Sequence, residues 1–293
     1  MTNITKAVIA AAGRGTRFLP AVKSYPKELV PILSKPNLQY LVEELIGAGI
    51  TEIAIVHRFG EDAIKKYFSP DADLEAYLNQ NNKLQYLDSL KAIWSKVKLT
   101  FIPQPLDLPY GNGSPIIAAK DFIGSDPFVY FFGDDLTVEA VPGAFLSKMI
   151  ATYDQYQPAA VVAVKDVGPV EIVRYGSAKY IDDPKYPHRI TAMLEKLPAD
   201  QAPSTFGQGG RFVLSNQTLQ ILSTQETGLG NELWLADAVN TLAATSVVLT
   251  QAFEGDSDWM TTGDPLRWLK ANIAVALLDP SMKDDLLSFL KTL

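Results

Sequence analysis

The segment AVIAAAGRGTRFLPAVKSYPKELVPI, residues 7–32, is the densest collection of chemically useful residue types in the chain. A run of small residues ending in Ala11 and Ala12 leads into Gly13, Gly15 and Thr16. Glycines let successive backbone N–H groups approach an anion closely, and such a nest binds phosphate. Arg14, Arg17, Lys23 and Lys27 gather positive charge around it. The dinucleotide fingerprint is broken, because Phe18 stands where its third glycine belongs, and no Gly-Lys-Ser/Thr ending marks a Walker loop. A tight turn beside a solvated basic face is the plainer alternative.

Three further groups could carry chemistry. GDD, Gly133 to Asp135, follows the apolar run FVYFF. Carboxylates at a strand's end suit Mg²⁺, which takes one or two of them and completes its shell with phosphates and water. Asp is equally favoured in turns and helix caps. Gln104 follows the apolar stretch Leu99–Ile102, and an amide carries both a donor and an acceptor for a base edge. Tyr175–Gly176 and Glu195–Lys196 lie in the middle region; strand alternation points Glu195 and Lys196 to opposite faces, as on a solvated edge. With no cysteine, a thiolate nucleophile, a thiolate metal site and disulfides are excluded. Two histidines, His57 and His188, make a histidine-based centre a poor expectation.

These residues need elements to position them. Ala7–Ala11, Ile53–Val56, Leu99–Ile102 and Phe128–Phe132 are apolar runs without clean alternation, as in strands covered on both faces. Helical spacing begins at Pro36 and runs to Gly49, and recurs at Glu61–Phe68 and Leu84–Ser95. The alternation implies an α/β domain with a mostly parallel sheet. Ala159–Val164, Ser177–Ile181, Ile190–Leu194 and Gly210–Leu214 then follow closely, suggesting a more antiparallel region laid against the first sheet. Asn216–Leu222, Leu233–Ala244, Pro265–Leu278 and Met282–Leu293 suggest helices, and Val247–Leu249 a strand. The four tryptophans, Trp94, Trp234, Trp259 and Trp268, are expected to pack in the core. One domain spanning 1–293 is expected, with a first part to about residue 150.

The chain has 293 residues and a formal charge of −7, so a phosphodiester backbone is repelled unless the basic residues share one cleft. Nucleic acid is not an expected partner. No apolar run is long enough for a membrane span, and no basic-then-apolar leader opens the sequence, so a cytoplasmic protein is expected.

The order and spacing of these motifs resemble those of the sugar-1-phosphate nucleotidyltransferases, and within them the bacterial UTP–glucose-1-phosphate uridylyltransferases. The resemblance is dense over the first sixty residues. It returns at Gln104, GDDL, YG, EK, GRFVL and GNELWLADA. It implies a Rossmann-like, mixed and mostly parallel sheet flanked by helices, with a smaller antiparallel sugar-binding sub-region and C-terminal helices. It implies uridylyl transfer from UTP to glucose 1-phosphate, giving UDP-glucose and pyrophosphate. Arg17 and the loop of Ala11, Ala12, Gly13, Gly15 and Thr16 would hold the triphosphate, supported by Asp135. Lys27 would stabilise phosphate charge, and Asp134 would bind Mg²⁺. Gln104 and Gly111 would recognise uracil. Gly176 and Glu195 would bind sugar hydroxyls, and Lys196 the sugar phosphate. A homodimer or homotetramer is implied. Ala10 stands where the family has proline, and PLDLPYGNGSP departs from a Gly-Leu-Gly-His-Ala pattern. Thr261 stands where the family has a second metal aspartate, with Asp258 and Asp264 flanking it. Two alternatives stay open: another nucleotide and sugar pair, or a non-catalytic nucleotide-sugar-binding homologue.

Overall fold

The computed structural model describes residues 4–293. Its strands are β1 (Lys6–Ala11), β2 (Pro31–Ile32), β3 (Lys35–Pro36), β4 (Glu52–His57), β5 (Lys98–Pro103), β6 (Phe128–Phe132), β7 (Asp135–Glu139), β8 (Ala160–Asp166), β9 (Gly176–Tyr180), β10 (Arg189–Glu195), β11 (Phe206–Leu214), β12 (Val248–Ala252) and β13 (Ser257–Thr261). Nine of them form one sheet in the order β5-β4-β1-β6-β11-β8-β12-β10-β9. The four expected apolar runs are its parallel half. Alternate residues of β1 enter opposite cores: Ile9 packs with Leu41 and Phe145, whereas Val8 packs with Tyr130 and Phe212. Helices Asn37–Gly47 and Ala144–Tyr156 cover the first face, and Asn216–Thr224 and Leu235–Thr245 the second. Burial on both faces is what removes the alternation from these sequences.

The antiparallel region is not a second layer. Its strands continue the first sheet, because β11 pairs antiparallel with both β6 and β8, and β12 then pairs parallel with β8. Strand β8 is buried along Ala160–Val164 and β11 almost throughout, so neither displays a solvent face that would separate it from the parallel half. The sequence also left out helix Ala72–Gln80, which buries only Leu78, and the ribbon of β7 against β13.

That ribbon ties the end of the sheet to the helix Pro265–Leu278. Its register sets Thr261 opposite Asp135 and Asp258 opposite Val138. Beneath it lies a buried ion pair. Arg211 donates to Glu44 through Nε at 2.9 Å and Nη2 at 2.8 Å, and to the Asp135 carbonyl at 3.2 Å. A bidentate guanidinium fixes geometry as well as charge. Arg211 therefore holds the backbone of the GDD turn from below.

Candidate active site

Two adjoining cavities open where β1, β5 and β6 end and β9 begins. One, of about 390 Å³, is lined by Ala12, Gly13, Lys27, Gln104, Gly111 and Gly133, among others. The other, of about 500 Å³, includes Asp135, Tyr175, Gly176, Glu195, Gln208 and Arg267 in its wall. Six residues belong to both walls: Arg17, Asn112, Phe132, Asp134, Lys196 and Trp234. Residues separated by more than 200 positions thus converge on one seam.

The glycine loop closes over Lys27. Gly15 is left-handed at φ 61°, and a Cβ there would come within 3.1 Å of the Lys27 Cβ, so both backbone and space demand glycine. Thr16 begins the short helical turn Thr16–Phe18, which carries Arg17 outward to within 3.5 Å of the Gly263 carbonyl. Ala11 itself is buried in the core, and neither Gly15 nor Thr16 reaches the cavity wall. On the opposite side Gly111 adopts φ 138° and lies against the backbone of Leu233, which donates to the Tyr110 carbonyl at 2.7 Å. This junction joins the Gln104–Asn112 loop to the Glu232–Trp234 segment.

Lys27 and Asp134 meet at 2.5 Å, and Glu28 lies 3.9 Å from the same ammonium. Burial works against the Lys27 charge, but Asp134 and Glu28 outweigh it and hold its pKa above the usual lysine value. Burial likewise opposes ionisation of Asp134. The Lys27 charge and hydrogen bond, with Arg17 behind them, still hold that carboxyl below the usual range. Asp135 goes the other way: burial and the Asp134 charge push it up to about 7 against the pull of Arg211. Two adjacent carboxyls therefore differ, one firmly charged and one poised near neutrality.

Glu28 is a buried member of this cluster that sequence reading passed over. Burial, only partly offset by Lys27, pushes its carboxyl up from 4.5 to about 8. Between those values the folded chain holds a proton that the unfolded chain has released. The associated stability is complete below about pH 4.5 and is lost as pH rises towards 8. Glu28→Gln should flatten this slope, read as a smaller drop in melting temperature between pH 5.5 and 8 than in the parent. An equal drop in both proteins would remove Glu28 as its source.

The substituted position, Thr261, lies at the seam. Its Oγ1 is 3.3 Å from the Asp134 carbonyl, which also accepts from the Thr262 N–H at 2.6 Å and Thr262 Oγ1 at 2.9 Å. A Cβ on Gly263 would sit 2.9 Å from Asp134 Oδ2 and 3.3 Å from both Arg17 Nη1 and Thr261 Oγ1, so the three groups surround one point. The flanking aspartates are engaged elsewhere. Asp258 pairs with Lys165 at 2.5 Å, and Asp264 caps the helix Pro265–Leu278 and pairs with Arg267 at 2.5 Å. Among the described residues, no three His, Cys, Asp or Glu side chains gather around one point as a metal cage.

Glu195 and Lys196 do not diverge. Lys196 lies just beyond β10 in a left-handed conformation, φ 48°, which breaks the alternation and turns both side chains into the same cavity. Gly176 packs against the Glu195 carboxylate, where a Cβ would come within 2.9 Å. Among the tryptophans, Trp259 is buried as expected, but Trp234 walls both cavities. Its ring belongs to the seam and not to the core, because Leu233 and Leu235 on either side take the buried positions. His57 is buried at the end of β4 and lines neither cavity.

A mixed α/β sheet with a glycine–cation loop and a carboxylate at the seam of two cavities defines a nucleotidyltransferase architecture. The family model described as nucleotidyl transferase matches residues 6–276, and the chain belongs to that family. Within it the chain is similar to a UTP–glucose-1-phosphate uridylyltransferase of Staphylococcus haemolyticus, at 34% identity over 100% of this chain and 99% of the relative. A UTP-bound UGPase from Acinetobacter baumannii superposes with a TM-score of 0.87 at 32% identity, covering 99% of each chain. A UDP-glucose pyrophosphorylase complexed with UDP-glucose superposes with a TM-score of 0.82 at 30% identity, covering 92% of this chain and 98% of the other.

Proposed function

We propose that this protein transfers the uridylyl group of UTP to glucose 1-phosphate, giving UDP-glucose and pyrophosphate. One observation carries the reading: Arg17, Asp134 and Lys196 stand at the seam of the two cavities. That is where a nucleotide on one side and a sugar phosphate on the other must bring their phosphates together. A phosphate oxygen of glucose 1-phosphate attacks the α-phosphorus of UTP, and the bond to the β-phosphate oxygen breaks as pyrophosphate leaves. No covalent work falls to the protein, so positioning and charge stabilisation account for catalysis. The reading needs neither cysteine nor histidine.

The nucleotide-side cavity takes UTP. Ala12 and Gly13 offer backbone to the phosphates, Arg17 and Lys27 offset their charge, and Gln104 with the Gly111 backbone reads the uracil edge. Ala11, Gly15 and Thr16 support this loop from behind its surface, and Asp135 supports the turn that carries Asp134. The sugar-side cavity takes glucose 1-phosphate, with Gly176 and Glu195 on the hydroxyls and Lys196 on the phosphate. The two substrate sides correspond to parts of a single domain, about residues 1–150 and 151–293.

The donor set suits Mg²⁺. Asp134 is its one firmly ionised carboxylate, and Thr261 offers a neutral hydroxyl. When bound, Mg²⁺ would neutralise phosphate charge as transfer proceeds. Thr261→Asp should tighten Mg²⁺ binding in the presence of UTP, measured by titration calorimetry. Unchanged affinity would mean that position 261 does not face the ion.

The exposed apolar residues Leu278, Met282, Phe289 and Leu290 on the terminal helices support a homo-oligomer. Among the described residues no helix is long and apolar enough to cross a membrane, and a cytoplasmic location is part of this reading. A substrate panel tests the whole: pyrophosphate release should be fastest with UTP and glucose 1-phosphate. Preference for a thymidine or purine triphosphate would overturn the uridylyl assignment.

A further inference from the structure

We propose that Trp234 is a positioning residue that holds the Lys196 ammonium at the seam and thereby sets affinity for the sugar phosphate. This rests on the assignment of Lys196 to that phosphate. Lys196 is half-exposed and left-handed, and Glu195 is 3.8 Å from its ammonium, beyond hydrogen-bond length. The Trp234 ring also lies against it, with the ammonium 4.9 Å from the ring centroid. That is within the range of a cation–π contact, for which tryptophan offers the strongest face.

The platform is itself fixed on three sides. The indole N–H donates to the Leu229 carbonyl at 2.9 Å, and Gln225 Nε2 donates to the Trp234 carbonyl at 2.9 Å. The next residue, Leu235, donates to Asn112 Oδ1 at 2.7 Å, and Asn112 also lies at the seam. A long lysine chain loses rotamer freedom when it captures a phosphate. A rigid aromatic face that already confines it reduces that loss, which is how pre-organisation raises affinity. The ring attracts the charge without taking up a donor, so the ammonium keeps its N–H groups for the incoming phosphate.

The test compares Trp234→Leu, Trp234→Phe, Lys196→Ala and the Trp234→Leu/Lys196→Ala double variant in steady-state assays with both substrates. Trp234→Leu should raise KM for glucose 1-phosphate roughly 5- to 10-fold, the range a partly desolvated cation–π contact spans. KM for UTP and kcat should change by a smaller factor than KM for glucose 1-phosphate, and a parental circular dichroism spectrum shows that the variant is folded. Trp234→Phe keeps a ring and loses the indole N–H, and should restore most of the affinity. In the Lys196→Ala background the Trp234→Leu substitution should add less than about two-fold, because the pair acts as a unit. Additive effects, an equal rise for UTP, or a Phe variant as impaired as the Leu variant would overturn the proposal while leaving the role of Lys196 intact. If Lys196→Ala alone leaves KM for glucose 1-phosphate unchanged, the assignment of Lys196 fails and the role of Trp234 falls with it.

Discussion

Asp134→Asn should lower kcat by about 10²- to 10³-fold, the loss typical when one preorganised charge-stabilising group is removed. The substitution conserves shape, so the three hydrogen bonds to the Asp134 carbonyl persist and the GDD turn stays in place. What disappears is the one carboxylate that Lys27 and Arg17 hold in its charged form. Asp135 is a poor substitute. It is buried and pushed up to about 7, and removal of the Asp134 charge would ease its ionisation without turning it towards the seam. Pyrophosphate release at saturating UTP, glucose 1-phosphate and Mg²⁺ measures the effect. Turnover within about three-fold of the parent would take Asp134 out of the catalytic site.

Lys27→Ala should cost a similar factor in kcat, for a complementary reason. The ammonium lies under the glycine loop at 2.5 Å from Asp134, in a cavity wall where phosphate charge must be offset. Its loss also leaves Glu28 buried without its cation, so some stability goes with it. The two effects are separable by pH. Without Lys27 the largest opposing influence on Asp134 is burial, so its pKa rises. The acid limb of the kcat profile should therefore move to higher pH in Lys27→Ala. A protein that had merely lost folded material would keep the parent's limb with a smaller amplitude. An unshifted limb with near-parental kcat would remove Lys27 from the mechanism.

Much of the parallel half of the sheet was legible. Each of its strands is an apolar run that stays apolar because helices cover both faces, and the glycine loop follows β1 at the carboxyl end, where open α/β sheets bind ligands. The antiparallel character of the second half was legible, but its place as a continuation of the first sheet was not. Burial on two faces leaves no alternation to mark how the halves join, and pairing partners lie far apart in sequence. Glu28 was missed because an acidic residue beside a lysine looks like a solvated pair until its burial is known. Glu195 and Lys196 were separated by strand alternation, which stops where Lys196 turns left-handed. The helical and strand-like contexts of the tryptophans suggest core packing for Trp234 as well. Aromatic character does not distinguish a core ring from one that walls a cavity; that depends on which neighbours take the buried positions.

The GRFVL stretch carries a similar lesson. Its phenylalanine, valine and leucine are core, as an apolar run suggests. Its arginine is buried with them and braces the turn that presents Asp134, through Glu44 and the Asp135 carbonyl. Nothing in the local sequence names Glu44 as the partner, because the two are 167 positions apart.

Uridylyl transfer at the seam between the two cavities can be measured directly. The most direct measurement incubates the purified protein with UTP, glucose 1-phosphate and Mg²⁺, and follows UDP-glucose and pyrophosphate together. The expected result is equal molar formation of both, dependent on Mg²⁺ and lost in Asp134→Asn. Binding of UDP-glucose with no pyrophosphate released from any sugar phosphate tried would contradict it, and would mean that Thr261 marks a chain that holds the nucleotide sugar without making it.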